Sequence, residues 1–494
     1  MRYLIGYDIG TSSIKAALLD IESGETLAAM QSPDTEMEIL APRPGFAEQH
    51  PERWWEELIN ATAQLKAKLN FRPEEIAGIG ISYQMHGLVC VDGDGKVLRP
   101  SIIWCDSRAV EIGKKAFHDL GENYCLGHLL NSPGNLTASK LRWVKENEPE
   151  LFSRIKYFML PGDFIAMKLT GEATTTVSGL SEGIFWDFKG EQVSQELLDY
   201  YGIPSSLIPR VVPQFGDQGR VDAQAAELLG IAAGTPVCYR AGDQPNNAFS
   251  LNVLEPGEVA ATAGTSGVVY GVTGSPDHDP LSRVNSFVHV NHRSEAPRYG
   301  VLLCVNGTGI LNSWLRRNMF AGLDYAKINE LAAQAPAGSD GLRLFPFGNG
   351  AERVLENLDP GAAVRHLDFN RHDQRHMARA AQEGIVFALQ YGMEVMAGMG
   401  MSMKTVRAGH ANMFLSPLFA ETFATTTGCR VELYNTDGAV GAARAAGYGS
   451  GSYSDLRSCF KGMNVVRTYE PAQDGSALRD AYAQWKQELA QLIG

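Results

Sequence analysis

Cysteine is scarce in this chain: seven residues in 494, at positions 90, 105, 125, 238, 304, 429 and 459, with no C-x-x-C pair. An odd and widely spaced set builds neither a disulfide framework nor a zinc knuckle, and it predicts reduced thiols in a cytoplasmic protein. Cys90, Cys238 and Cys304 stand in short apolar runs and read as core thiols. Long hydrophobic runs are missing too. No stretch approaches the roughly 18 apolar residues of a membrane span, and the opening MRYLIGYDIGTSS soon turns polar, so neither a span nor a signal segment is expected. Basic charge is in deficit, 43 Lys and Arg against 56 Asp and Glu, for a net charge of −13. This excludes a broad nucleic-acid or anionic-membrane footprint, while leaving open a small anion held by a few amides. No G-x-x-x-x-G-K-[ST] string occurs, so a P-loop is absent. Glycine, by contrast, abounds: 52 of 494 residues, without a G-x-y period, above the usual share of about 7%. Such an excess predicts many tight turns or close backbone approaches.

The length suits two large lobes. YLIGY (3–7) ends at Asp8, and IKAALLD (14–20) follows a G-T-S-S turn as a second strand. PERWWEELINATAQLKAKLN (51–70) is helical in period, IAGIGIS (76–82) reads as a buried strand, and GLVCVDGDGKVLRP (87–100) reads as a hairpin turning at Asp92–Gly95. A helix from 139 is interrupted near Pro149. This mixture predicts an α/β lobe. The lobe boundary falls near residue 254, giving 1–254 and 255–494, just before Glu255-Pro256-Gly257. The pattern strand, G-T-S turn, strand recurs in ATAGTSGVVYGVTG near residue 261, about half a chain after its first occurrence, and suggests duplicated units. Beyond it come a helical stretch at about 372–398, a strand at 404–409 and an amphipathic last helix, AYAQWKQELAQLI, expected on the outside of the second lobe.

Phosphoryl transfer from a nucleotide needs donors around phosphates, a divalent cation and a base on the acceptor hydroxyl. Asp8 ends a strand beside the small residues Gly10, Thr11, Ser12 and Ser13, and Gly264, Thr265, Ser266 and Gly267 repeat that turn. Each turn also reads simply as a tight strand connection. In RAGDQPNN (240–247), Asp243 follows an apolar strand on what reads as a loop, where a carboxylate suits a general base, or merely forms the turn. Gln84, Met85 and His86 follow strand 76–82, at the end where open α/β sheets present ligands. Trp104, Asp106 and Arg108 follow another apolar run. Polar groups beside Trp and Met fit a sugar, with its hydroxyl edges and C–H faces, although core packing beside surface polar groups accounts for either cluster alone.

DIGTSSIKAAL, QMHG, WCDSRA, AGDQPNNA, TAGTSGVV and EGIVFAL, in this order, resemble the FGGY carbohydrate kinase family of the sugar kinase, Hsp70 and actin superfamily, across about residues 3–450. The resemblance implies two ribonuclease-H-like α/β lobes around a cleft holding ATP and Mg²⁺. It implies Asp8 as a catalytic residue that orients magnesium through water, Thr11, Ser12 and Lys15, with Gly10, as the first phosphate motif, and Asp243 as the base. Gln244 and Asn246 fall in the same sugar-side segment as Asp243. Gly264, Thr265 and Ser266 resemble the second phosphate motif, and Asn306, Gly309, Gly409 and Asn412 match regions lining the nucleotide, with Trp314 nearby. Glu352 and Arg353 resemble a G-E-R loop that they organise. QMHG and W-x-D-x-R resemble the xylulokinase branch, which implies D-xylulose as acceptor at its 5-hydroxyl, with Gln84, Met85, His86, Trp104, Asp106 and Arg108 at the sugar. Another ketose, polyol or aldonate (ribulose, fuculose, glycerol, gluconate) and a non-sugar ATPase of the superfamily are the alternatives. The partners implied are sugar and nucleotide, with homodimers common among relatives. His410 departs from the family pattern, since it stands where glycine is common.

Overall fold

In the computed structural model, residues 2–494 are described. They divide into two compact units. The first comprises residues 2–252, 287–298 and 436–463, and the second comprises 253–286, 299–435 and 464–494. The chain therefore leaves the first unit where the sequence predicts a boundary. The expectation that everything after 254 forms the other lobe is corrected by the return of 287–298 and 436–463.

The first unit is built on five strands: β1 (Tyr3–Ile9), β2 (Ile14–Asp20), β3 (Thr26–Ser32), β4 (Ile76–Tyr83) and β5 (Val237–Gly242). Their spatial order is β5-β4-β1-β2-β3. β1 and β4, and β4 and β5, are parallel, whereas β1-β2 and β2-β3 are antiparallel. The parallel strands are apolar almost throughout because both faces are covered. On one face lies the helix Pro51–Leu69, burying Trp54, Leu58, Ala61 and Leu65 at helical spacing. On the other lies Gly438–Gly449, packed on β1 and β4. Its backbone comes so close that a Cβ at Gly6 would stand 1.9 Å from the Ala439 carbonyl oxygen, and one at Gly80 2.0 Å from that of Ala442. Only glycine permits this seating.

The second unit repeats the plan with β6 (Val259–Ala263), β7 (Gly267–Thr273), β8 (Tyr299–Val305), β9 (Thr405–Gly409) and β10 (Arg430–Tyr434), plus an edge strand, β11 (Val465–Tyr469). The strands lying wholly within it run β8-β7-β6-β9-β10-β11. β6-β7 and β7-β8 are antiparallel, and β6-β9 and β9-β10 parallel, matching the first sheet strand for strand. The G-T-S echo thus belongs to a duplicated five-strand sheet. The helix Gln374–Gly398 supplies much of this core. The terminal helix Ser476–Leu492 inserts Trp485, fully buried and stacked on Phe345 at 5.1 Å, with its Nε1 donating to the Leu344 carbonyl at 3.0 Å. No helix among the described residues is long and apolar enough to cross a membrane.

Candidate active site

The three parallel strands of the first unit end together. Register pairs Asp8 with Ser82, and both Ile9 and Gly242 with Tyr83, so Asp8, the Gln84-Met85-His86 turn and Asp243 emerge at one end of the sheet. Ser82 Oγ donates to Asp8 Oδ1 at 2.7 Å. Asp243 is not on a loop, as the sequence predicts, but is the first residue of the helix Asp243–Ser250. Its carboxylate therefore meets the positive end of a helix dipole.

Negative charge concentrates here. Burial pushes the Asp8 carboxyl above its ordinary range, Lys15 across the hairpin and the Ser82 hydroxyl oppose that rise, and Asp437 adds to it. Asp243 is pushed up to about 7, first by burial and then by Asp8. A Cβ on Gly438 would lie 2.5 Å from Asp8 Oδ2, and the Gly438 carbonyl accepts from Asn246 Nδ2 at 2.8 Å. Gln244 Oε1 and Asn246 Oδ1 are buried with no hydrogen-bond partner among the described residues, which suits a site completed by a polar ligand. Among the described residues no three His, Cys, Asp or Glu side chains form a ready metal cage. A crowded set of carboxylates without such a cage fits Mg²⁺, which keeps several waters and commonly binds through one or two carboxylates together with phosphate oxygens.

The sugar-side candidates divide. Thr11 accepts from Trp104 Nε1 at 3.0 Å and donates to Gln84 Oε1 at 3.1 Å. Gln49 joins them, its Nε2 donating to the Thr11 carbonyl at 2.7 Å and its Oε1 accepting from Gln84 and Trp54. Thr11, expected at phosphate, thus has its hydroxyl engaged with Gln84 and Trp104, while Ser12 is exposed. Trp104 is 43% exposed and Met85 buried. Asp106 and Arg108, expected at the sugar, are engaged with each other and with Glu48. Arg108, its side chain 1% exposed, forms a two-toothed pair with Asp106 (3.0 and 2.7 Å) and bonds Glu48 at 2.7 Å. Its guanidinium lies over Phe46 at 3.7 Å and Trp143 at 4.7 Å. Asp106 also accepts from the Ala47 amide at 2.6 Å. With these groups satisfied and sealed from solvent, the pair braces the loop that carries Trp104.

In the second unit, the Gly264–Ser266 turn links β6 to β7 and leans on the helix Gly309–Asn318, whose Gly309 and Ile310 amides donate to the Gly264 and Thr265 carbonyls at 2.9 and 3.1 Å. Asn412, in left-handed conformation at φ 54°, has its Nδ2 3.5 Å from a Cβ built on Gly264. Gly409 ends β9 nearby in sequence, and the His410 amide donates to the Tyr434 carbonyl at 2.8 Å. Gly264, Thr265, Gly309 and Asn412 are therefore brought together, Thr265 exposed and Ser266 partly so. Asn306 is tied elsewhere: its amide donates to Glu352 and its Nδ2 to the Ala351 carbonyl, all at 3.0 Å. Arg353 reaches the Ser282 carbonyl. Glu352, fully buried and pushed up to about 7 by burial, organises this loop.

Sequence reasoning missed Asp437-Gly438, Lys140, Glu182 and Gln49. The D-G pair before a small-residue helix is a signal for the first: Asp437 caps that helix, accepting from the Val440 amide at 2.9 Å. The other three stand on helices or strands with no motif around them.

Comparison with known proteins matches residues 3–250 to the model of the FGGY family of carbohydrate kinases, N-terminal domain, and residues 259–450 to that of the C-terminal domain. The chain is 29% identical over 470 residues to a xylulose kinase of Bacillus subtilis, covering 93% of this chain and 90% of that one. Among solved structures, the xylulose kinase from Rhodospirillum rubrum matches with a TM-score of 0.87 and 26% identity over 99% of both chains. The gluconate kinase from Lactobacillus acidophilus matches in fold, with a TM-score of 0.90 at 23% identity, covering 100% of this chain and 98% of that one.

Proposed function

Since the chain belongs to the FGGY family of carbohydrate kinases, ATP-dependent phosphotransferases, we propose that it phosphorylates D-xylulose on its 5-hydroxyl with Asp243 as the base. The observation that carries this reading is Asp243 itself, at a helix start, lifted to about 7 and electrostatically coupled to Asp8. A base poised near neutral pH is ionised in a useful fraction and still accepts a proton readily.

In the proposed reaction the sugar hydroxyl gives its proton to the Asp243 carboxylate. Its oxygen forms a bond to the γ-phosphorus of ATP as the bond from that phosphorus to the bridging oxygen breaks, and ADP leaves with that electron pair. Gln84, His86 and Trp104 orient the sugar, with Gln244 and Asn246 offering polar atoms beside the base. Lys15 and the Gly10–Ser12 turn are assigned to phosphate, as are Gly264, Thr265 and Ser266; Gly309, Gly409 and Asn412 are assigned to the nucleotide. Asp8, with Asp437 beside it, would hold Mg²⁺ through water. When bound, that ion neutralises charge developing on the phosphate oxygens. The xylulose kinases among the relatives support the choice of sugar.

A coupled ADP-release assay with D-xylulose, L- and D-ribulose, L-fuculose, glycerol and gluconate, and a sugar-free control, tests the reading. D-xylulose is expected to give the highest kcat/KM. A higher value for any other acceptor overturns the choice of sugar, and equal ADP release without sugar overturns the kinase reading of this site.

A further inference from the structure

His86 is held at three atoms. Its backbone sits in the left-handed region at φ 60°, where a residue with a Cβ needs outside support. The His86 amide donates to Glu182 Oε1 at 3.3 Å, and its carbonyl accepts from Lys140 Nζ at 2.8 Å. Its ring Nδ1 lies 2.9 Å from the Glu182 carbonyl oxygen. A carbonyl oxygen only accepts, so Nδ1 carries the proton and, in the neutral ring, Nε2 is the acceptor.

The two supporting residues come from separate helices, Lys140 from Thr137–Asn147 and Glu182 from the end of Val177–Glu182. Both are buried, at 0% and 1% exposure. Lys140 Nζ also donates to the Ile103 carbonyl at 3.0 Å, so one amine ties the His86 turn to the segment that leads into Trp104. Glu182 Oε2 has no hydrogen-bond partner among the described residues and lies 2.3 Å from a Cβ built on Gly242, the residue before Asp243. Burial drives both groups toward neutrality, Lys140 down to about 7 and Glu182 well up. Directed hydrogen bonds, more than ion pairing, therefore fix the turn. Burying a lysine and a glutamate with no direct bond between them is costly unless the geometry they impose is used.

We propose that Lys140 and Glu182 are positioning residues that lock His86 in one backbone conformation and one ring tautomer, presenting Nε2 as the acceptor for a hydroxyl of the sugar. This rests on the reading of His86 as a sugar contact. A neutral Nε2 acceptor pairs with a hydroxyl and repels a keto oxygen, so the lock also decides which part of a ketose can lie there.

The test uses the full chain with Lys140→Met, Glu182→Met, Glu182→Gln and His86→Ala. Lys140→Met and Glu182→Met are expected to raise the sugar KM by about tenfold or more with the ATP KM unchanged, and to add little to His86→Ala. Glu182→Gln, which keeps an acceptor for the His86 amide, is expected to retain the wild-type sugar KM. Ring ¹⁵N shifts of labelled histidine, recorded without sugar, are expected to show the Nδ1–H tautomer at His86 in the wild type; both Met variants keep the Glu182 main-chain carbonyl that Nδ1 meets, so the tautomer mixture expected in them reports displacement of the turn from that carbonyl, not loss of the acceptor. Wild-type tautomer and sugar KM in both Met variants, with a raised KM in His86→Ala, would overturn the lock and leave the sugar reading standing. An unchanged sugar KM in His86→Ala would overturn that reading, and with it the lock's proposed role, while the ¹⁵N shifts still decide whether the lock exists. Should Lys140→Met fail to fold, the contrast between Glu182→Met and Glu182→Gln carries the test.

Discussion

A carboxylate accepts a proton only while it is ionised, and this makes Asp243 the residue whose titration is visible in turnover. Lifted to about 7, it predicts a kcat/KM for sugar that climbs with pH and levels off above about 7 in the wild type. A profile already flat at pH 5 would remove it as base. Asp243→Ala should abolish sugar phosphorylation while leaving nucleotide binding near normal, checked by ADP release and by nucleotide titration. The same shift bears on stability. The folded pKa lies above the ordinary 3.8, so the native state binds more protons than the unfolded one between about 4 and 7, and wild-type stability falls as pH rises through that window. Asp243→Asn is therefore expected to melt above the wild type at pH 8 and level with it at pH 4. Gly438→Ala drives a methyl toward Asp8 and should lower turnover about 100-fold, as misplacement near reacting atoms does, with the melting temperature as control. The positions of Asp8 and Asp243 at strand ends were legible in the sequence, Asp8 because it closes the apolar run of β1 and Asp243 because it follows that of β5. Gly438 was not, because nothing local tells a glycine beside a carboxylate from one that ends a helix. Gly171, Gly230 and Gly428, by contrast, end helices and are left-handed at φ 73°, 63° and 70°.

At the scale of elements, the sheet and its helical cover depend on contact without side chains. Gly80→Ala would push a Cβ into the Ala442 carbonyl, backbone against backbone. Overpacking of this kind costs roughly 1–3 kcal/mol, read as a lowered denaturation midpoint; an unchanged midpoint would mean that the helix moves freely over the sheet. The paired G-T-S hairpins were readable because a strand, turn and strand are contiguous. The two parallel strands that complete each sheet were not recognised as part of the repeat, since their pairing is made over long sequence distance. Asp243 was misread as a loop residue because D-Q-P-N-N is made of turn formers. Pro245, which would break a helix interior, is tolerated in the first turn. The pairing of Asp106 with Arg108 was missed for a related reason: a charged pair after a strand looks the same in sequence whether it faces a ligand or closes on itself.

For the whole molecule, the discontinuity of the first unit matters most. Residues 2–252 hold its sheet but lack 436–463, which includes the helix that covers β1 and β4. A fragment ending at 252 should be aggregation-prone and give no cooperative melt, whereas the same fragment with 436–463 joined by a flexible linker should fold, as followed by circular dichroism and gel filtration. Independent folding of the shorter fragment would contradict this. The sequence located the first crossing between units because Glu255-Pro256-Gly257 punctuates it. It gave no sign of the return, since an Ala- and Gly-rich helix carries no mark of which sheet it will cover. That return sets an order on synthesis. Between residue 252 and residue 436 a ribosome adding about 5–20 residues per second works for roughly 10–40 s, and for that time the half begun first waits, one apolar face open, for a helix still untranslated. The cell must hold this face apart from other nascent chains, so the yield of folded enzyme is set by chaperone capacity during translation as well as by the stability of the finished fold.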